Sequence, residues 1–243
     1  GRLENLVPIR HGRMLQSAFA YYRGTAAIQA YDLAGTPSSG IIVQACGDCH
    51  LMNFGGFATP ERTLVFDIND FDETLPAPFE WDIKRLAASF IIAARWRGFR
   101  ADQAREIAVE AVSSYRQSMR KRAGTHVLEA WYSQTTMNDL LARVGKDAEL
   151  VGRVKQKISE AGKRTAEHVL AKITAPAKGL PRIVDQPPLL FHVNDPHVNE
   201  RTIAAFFKRY RETLPEERRT LFDRFKFVDM AAKVVGVGSV GTR

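Results

Sequence analysis

Apolar positions along the chain follow two different periods. Ile41-Ile42-Val43-Gln44-Ala45-Cys46 and Thr63-Leu64-Val65-Phe66 are short runs bounded by turn-forming residues. Such runs predict strands near 41–46 and 63–68. Elsewhere the spacing is helical. Arg13 to Ala34 carries apolar residues at Met14, Phe19, Tyr22, Ala26 and Tyr31, with Gly24 marking a kink or a close contact. Residues 35–40 (GTPSSG) break that pattern. Phe54-Gly55-Gly56-Phe57 and Thr59-Pro60-Glu61-Arg62 read as a turn between two strands, the glycines permitting backbone that other residues resist. Pro76 and Pro78 hold the chain extended ahead of a helix. In that helix, Glu80 to Trp96, Ile83, Leu86, Ala87, Phe90, Ile91 and Ala94 form a wide buried stripe. Asp102 is placed to cap the next, Gln103 to Arg122, with Ile107, Ala111 and Tyr115 facing inward.

Shorter helices are expected at His126–Tyr132 and Met137–Val144, and a long polar one over Lys146–Ile173. Thr174 to Pro188 is rich in proline and reads as a linker. A strand at Leu189–Val193 and helices at Glu200–Thr213 and Pro215–Phe225 follow. The expected fold class is α+β: a mainly helical domain over 1–175, with short strands carrying the site, and a second segment over 176–243. No internal repeat or low-complexity stretch is present.

Composition narrows this picture. With 243 residues, 45% of them hydrophobic and 26% charged, the chain can bury a sizeable core. No apolar run approaches the roughly 18 residues of a membrane span, and no leader pattern opens the sequence, so no membrane partner is expected. The only cysteines, Cys46 and Cys49, fit a reducing compartment and a cytoplasmic location. Their C-x-x-C spacing lacks the second pair that a zinc site needs, so they are read as neighbours of Asp48. The net charge of +8 gathers in residues 95–122, 153–172 and 201–226. Nucleic acid would be attracted by such charge. However, Glu106, Glu110, Glu160 and Glu167 interleave with the basic residues, and no nucleic-acid-binding motif accompanies them. These stretches are read as solvated helix faces, and nucleic-acid binding ranks last among the functions considered.

The chemistry concentrates where the two early strands end. Asp48, His50 and Asn53 follow the first; Asp67, Asn69, Asp70, Asp72 and Glu73 follow the second. Clustered carboxylates repel one another unless a cation or arginines compensate. Mg²⁺ takes hard oxygen ligands, usually one or two protein carboxylates plus phosphate and water. A calcium EF-hand is excluded by spacing, since Phe71 and Asp72 fall at its fifth and sixth positions. A glycosidase-type pair such as Asp48 with Asp70 leaves His50 and Asn53 unexplained. Arg10 and Arg23 are candidates either for phosphate or for a structural carboxylate. His192 and His197 flank the turn Asn194-Asp195-Pro196 without a third ligand and read as turn or surface histidines.

The segments RHGRMLQSAFAYYRG, CGDCHLMNFG, FDINDFDETLP, WDIKRLAAS and KVVGVGSVGTR resemble domain of unknown function 2252 over nearly the whole chain. Within them, Gly47-Asp48-x-His50-x-x-Asn53 resembles the catalytic loop of kinases, closest to the aminoglycoside and choline kinase type. Asp70-Phe71-Asp72 resembles the metal-binding DFG element, and Asp82 the helix-opening brace of that loop. The resemblance implies a mainly helical, protein-kinase-like catalytic lobe. In it Asp48 orients an acceptor hydroxyl and His50 assists; Asn53 and Asp70 bind Mg²⁺, with Asp67 or Asp72 as alternates. Gly236, Gly238 and Gly241 would cover the phosphates of ATP. The glycine-rich stretch lies after the catalytic loop, the reverse of kinase order, which implies circularly permuted lobes. Related chains continue through a Val-Lys-Glu-Ala element, so this chain is expected to carry only the start of a nucleotide lobe. Gly47 stands in place of the HRD arginine, Asp72 in place of the DFG glycine, and the strand lysine is missing. A catalytically inactive, pseudokinase-like nucleotide or phosphate binder therefore stands as the alternative.

Overall fold

The computed structural model describes residues 4–145, 147–162, 166–177, 179–194, 197, 199–236 and 241–242. Helices and small antiparallel sheets alternate, an α+β fold. Contacts divide the described residues into two compact units, one up to residue 162 and one from 166 to 236 with 241–242.

The first unit opens with three short helices, α1 (Val7–Met14), α2 (Ala18–Arg23) and α3 (Ala26–Ala34), where the apolar period suggested one kinked helix. Two side chains explain the breaks. Ser17 leaves the helical region and its Oγ accepts from the Ala20 N–H at 3.0 Å, starting α2 afresh. Met14 fills the space beside Gly24, where an added Cβ would stand 2.7 Å from its Sδ.

Strand β1 (Ile42–Ala45) then leads into the loop of Asp48. A 3-10 turn at Leu51–Asn53 gives way to β2 (Phe54–Ala58), paired antiparallel with β3 (Leu64–Ile68). Strand β4 (Leu75–Pro78) pairs back onto β1, with Ala45 opposite Leu75. The proline-spaced stretch is thus a ladder strand. Gly55 and Gly56 lie in the regular ladder, so close approach rather than turn geometry calls for a missing side chain. An added Cβ at Gly55 would come within 2.4 Å of Asn69 Nδ2.

Helix α4 (Phe79–Trp96) packs against α5 (Ala101–Arg122) through small residues, Ala94, Ala104 and Ala108, with Phe79 stacked on Tyr115. The cap of α5 is Arg100, one residue before the helix, and Asp102 sits in its first turn paired with Arg100 at 2.7 Å. The apolar stripe expected of α4 is only half-buried. Its most buried residues are Arg85, Ser89 and Ala94. Helices α6 (Val127–Tyr132), α7 (Met137–Val144) and α8 (Ala148–Gly162) complete the unit, and Thr136 caps α7.

In the second unit the first described element is the helix α9 (Ala166–Ile173), and residues 163–165 of the long helix expected over 146–173 lie outside the described residues. The expected linker holds a hairpin, β5 (Thr174–Ala177) with β6 (Leu180–Ile183). Proline is tolerated on this two-stranded edge because Pro176 and Pro181 face each other in register. Strand β7 (Leu190–Phe191), helices α10 (Glu200–Thr213) and α11 (Glu216–Phe222), and strands β8 (Ala232–Val235) and β9 (Gly241–Thr242) follow. Strands β7, β8 and β9 form one antiparallel sheet. Among the described residues no helix is long and apolar enough to cross a membrane.

Candidate functional site

The loop after β1 is held from beneath by one helix. Residues at i, i+3 and i+7 share a helix face, and on α4 those positions are Asp82, Arg85 and Ser89. The Asp82 carboxylate accepts the N–H of Cys46 at 2.7 Å and of Gly47 at 3.1 Å. Arg85 binds the Asp48 carboxylate, and the Ser89 hydroxyl accepts the Leu51 N–H at 2.9 Å. Gly47 makes the bend with φ +81°, and an added Cβ would meet the Glu73 carbonyl oxygen at 2.0 Å. Only glycine fits there.

Asp48 is half-buried, and its two oxygens have different surroundings. Oδ1 takes Arg85 Nε at 2.6 Å and Nη2 as well. Oδ2 lies 3.6 Å from His50 Nε2. Burial pushes the Asp48 carboxyl up, opposed by Arg85 and Arg23 and reinforced by the nearby Asp70 charge. His50 is 4% exposed and edge-on to Phe19, and its Nδ1 finds no partner among the described residues. Burial, and then the cations of Arg23 and Arg85, push its pKa down to about 4, so the ring is neutral at pH 7.

Asn53 joins the two predicted clusters. Its Nδ2 donates to the Asp70 carbonyl at 2.9 Å, the Asp48 carbonyl at 3.2 Å and Cys46 Sγ at 3.4 Å. The backbone carbonyl of Asn53 accepts the Asn69 N–H at 3.1 Å. Nδ2 is thereby committed to both segments, and Oδ1 is the amide's other polar atom. Cys46 is more than a bystander, since its thiol also donates to the Asp70 carbonyl at 3.5 Å.

Asp70, Asp72 and Glu73 are exposed on the following turn. Partial burial, then the Asp48, Asp70 and Asp72 charges, push the Glu73 carboxyl up, so Glu73 lies within the fields of those three carboxylates. Asp67 turns to its own strand, accepting the Ile68 N–H at 2.8 Å. Among the described residues the buried Nε of Arg23, at the end of α2, has no partner, while Arg10 Nη2 donates to the Gly24 carbonyl at 2.7 Å.

Gly236 follows β8 with φ +79°, and Gly241 opens β9, so the glycine-rich stretch is flanked by paired strands; Gly238 lies outside the described residues. His192 is engaged by Asp185 and Asp229. Among the described residues no three His, Cys, Asp or Glu side chains stand close enough to hold a metal ion by themselves. Mg²⁺ bound beside a phosphate needs fewer protein ligands, and the hard oxygens of Asn53 Oδ1 and the Asp70 carboxylate suit it in kind.

Four contributors to this arrangement were not singled out by the motifs: Arg85, Tyr22, Gln29 and Ser89. The signal available was the recurrence of polar residues at 82, 85 and 89 inside an apolar helix. Residues 2–243 match the profile of a family described as uncharacterized protein conserved in bacteria (DUF2252), and the chain belongs to that family. No curated protein and no solved structure matches it.

Proposed function

We propose that the first unit is the catalytic lobe of a kinase-like phosphotransferase whose lobes are circularly permuted, acting on a hydroxyl-bearing acceptor with ATP and Mg²⁺. The observation carrying this reading is the Asn53 bridge. One buried amide ties the Asp48 loop to the Asp70 turn, its Nδ2 donating to a backbone carbonyl of each. Asp48 Oδ2, the oxygen not taken by Arg85, orients the acceptor hydroxyl and receives its proton. The neutral His50 excludes water beside it. Asn53 and Asp70 would hold Mg²⁺, with Asp72 as alternate; the ion, when bound, neutralises charge on the phosphates. Asp82 fixes the loop through its backbone. Phosphoryl transfer relies on positioning and charge neutralisation more than on covalent chemistry, which suits a loop held this rigidly.

The test is Mg-ATP calorimetry beside labelled-ATP turnover. Asp70→Asn is expected to abolish Mg-dependent nucleotide binding. Asp48→Asn is expected to keep binding and lose turnover by roughly 10²–10⁴. If neither change alters binding or turnover, the assignment is wrong. The Arg85–Asp48 ion pair favours one second reading, because a carboxylate already neutralised by a guanidinium is a weak base. A pseudokinase-like binder follows if the parent binds nucleotide, transfers nothing, and Asp48→Asn changes nothing.

A further inference from the structure

Arg85 is a charged side chain only 2% exposed, and nearly all its donors are spoken for. Nε and Nη2 go to Asp48 Oδ1, Nη1 to Gln29 Oε1 at 2.6 Å, and Nη2 also to the Tyr22 carbonyl at 3.1 Å. The guanidinium carbon sits 4.6 Å from the Tyr22 ring centroid, a cation–π contact. Tyr22 closes the cage, its hydroxyl lying 2.7 Å from Gln29 Oε1 and 2.9 Å from the Arg85 carbonyl. The guanidinium therefore cannot rotate without breaking contacts to α2, α3 and the Asp48 loop together.

We infer that Arg85 is a positioning residue for Asp48, and that Tyr22 and Gln29 act on the site through it. Both Asp48-directed donors fall on a single carboxylate oxygen. This fixes the side-chain rotation and presents Oδ2 alone to whatever occupies the site. A lysine in place of Arg85 keeps the charge but has no planar fork, so it holds Asp48 without orienting it. Gln29 and Tyr22 lie in helices rather than the loop, so α2 and α3 bear on the aim of the Asp48 carboxylate through Arg85. The orientation claim stands on these contacts alone; its effect on turnover rests on the phosphotransfer reading.

The experiment has two arms. In crystal structures of the parent, Arg85→Lys and Gln29→Ala, the Asp48 carboxylate is expected to rotate off its parent position, most in Arg85→Lys. In Mg-ATP turnover, Arg85→Lys is expected to lower kcat on the order of 10²-fold with KM for ATP changed less than about twofold, the split expected of misplacement rather than lost binding. Guanidinium ion, below denaturing concentration, should restore part of the loss in Arg85→Ala. Asp48 unmoved in both Arg85→Lys and Gln29→Ala overturns the proposal, whatever the protein's activity; if Arg85→Lys does not fold, Gln29→Ala decides that arm. An Asp48 that rotates with unchanged kcat, while Asp48→Asn abolishes turnover, also overturns it. A parent with no turnover fails the phosphotransfer reading and leaves the crystallographic arm to decide this one.

Discussion

Two histidines, one in each unit, sit beside aspartate with arginine close by, and their chemistry is opposite. His50 is enclosed; Asp48, its nearest carboxylate, is already paired with Arg85, and the charges that reach the ring are the cations of Arg23 and Arg85. Its pKa is pushed down to about 4. His192 is 41% exposed and lies between two carboxylates. Nδ1 is 2.7 Å from Asp185 Oδ1 and Nε2 is 3.2 Å from Asp229 Oδ1, while Arg182 reaches Asp229 at 3.3 Å. Each ring nitrogen faces an acceptor, so both must donate, which only the imidazolium can do. Hydrogen bonding to Asp185 and then to Asp229 accordingly raises its pKa. The contrast shows that a His-Asp-Arg set carries no fixed meaning. What decides is whether the arginine or the histidine satisfies the carboxylate, and how much water remains.

The comparison breaks or sharpens most visibly at the arginines. Arg85→Met leaves the Asp48 carboxylate without its buried counter-ion and should cost about 3–5 kcal/mol. Arg182→Met removes a half-exposed partner and should cost about 0.2–1 kcal/mol. Urea unfolding of the two variants checks this, and equal losses would erase the distinction. Next comes pH. Between the unfolded histidine value of about 6.5 and about 4, the unfolded chain takes up a proton that folded His50 refuses. Stability should therefore fall with pH across that window by on the order of 3 kcal/mol. His192 has the other sign: its contribution is complete below about 6.5 and is lost as pH rises through its raised folded pKa. Histidine ring NMR reads both sites directly, and a His50 ring titrating near 6.5 would contradict the burial argument.

Ser89→Ala removes the acceptor of the Leu51 N–H and should cost about 1–3 kcal/mol, seen as faster exchange of that amide. Asp185→Asn in the exposed set should cost less than about 1 kcal/mol while lowering the His192 pKa, which the same NMR titration follows.

Much of the candidate site lies close together in sequence, which is why it was legible there. Asp48, His50 and Asn53 span one loop and Asp70, Asp72 and Glu73 one turn, each after an apolar run that does form a strand. What escaped was the interaction between distant segments. Arg85 and Ser89 were passed over because a helix containing Ile83, Leu86, Phe90 and Ile91 reads by its hydrophobes, and only the loop's need for polar partners turns the other face inward. The break at Ser17 was hidden by an uninterrupted apolar period, since a cap is one side chain and leaves the spacing intact. The hairpin at 174–183 was hidden by its prolines, which signal a linker unless they happen to face each other across a pair.

The three attachments from α4 to the loop also define a tolerance to length. Substitutions at Lys84 or Ala87 change what fills the helix surface and leave the spacing of 82, 85 and 89 alone. A single inserted residue between Asp82 and Arg85 would turn everything after it by roughly 100° and advance it about 1.5 Å. Asp82 would still grip Cys46 and Gly47, but Arg85 and Ser89 would face away from Asp48 and Leu51. The same insertion beyond Ser89 would leave all three attachments in register. Viable chains of varied length should therefore differ in the far half of this helix and agree to the residue in the near half.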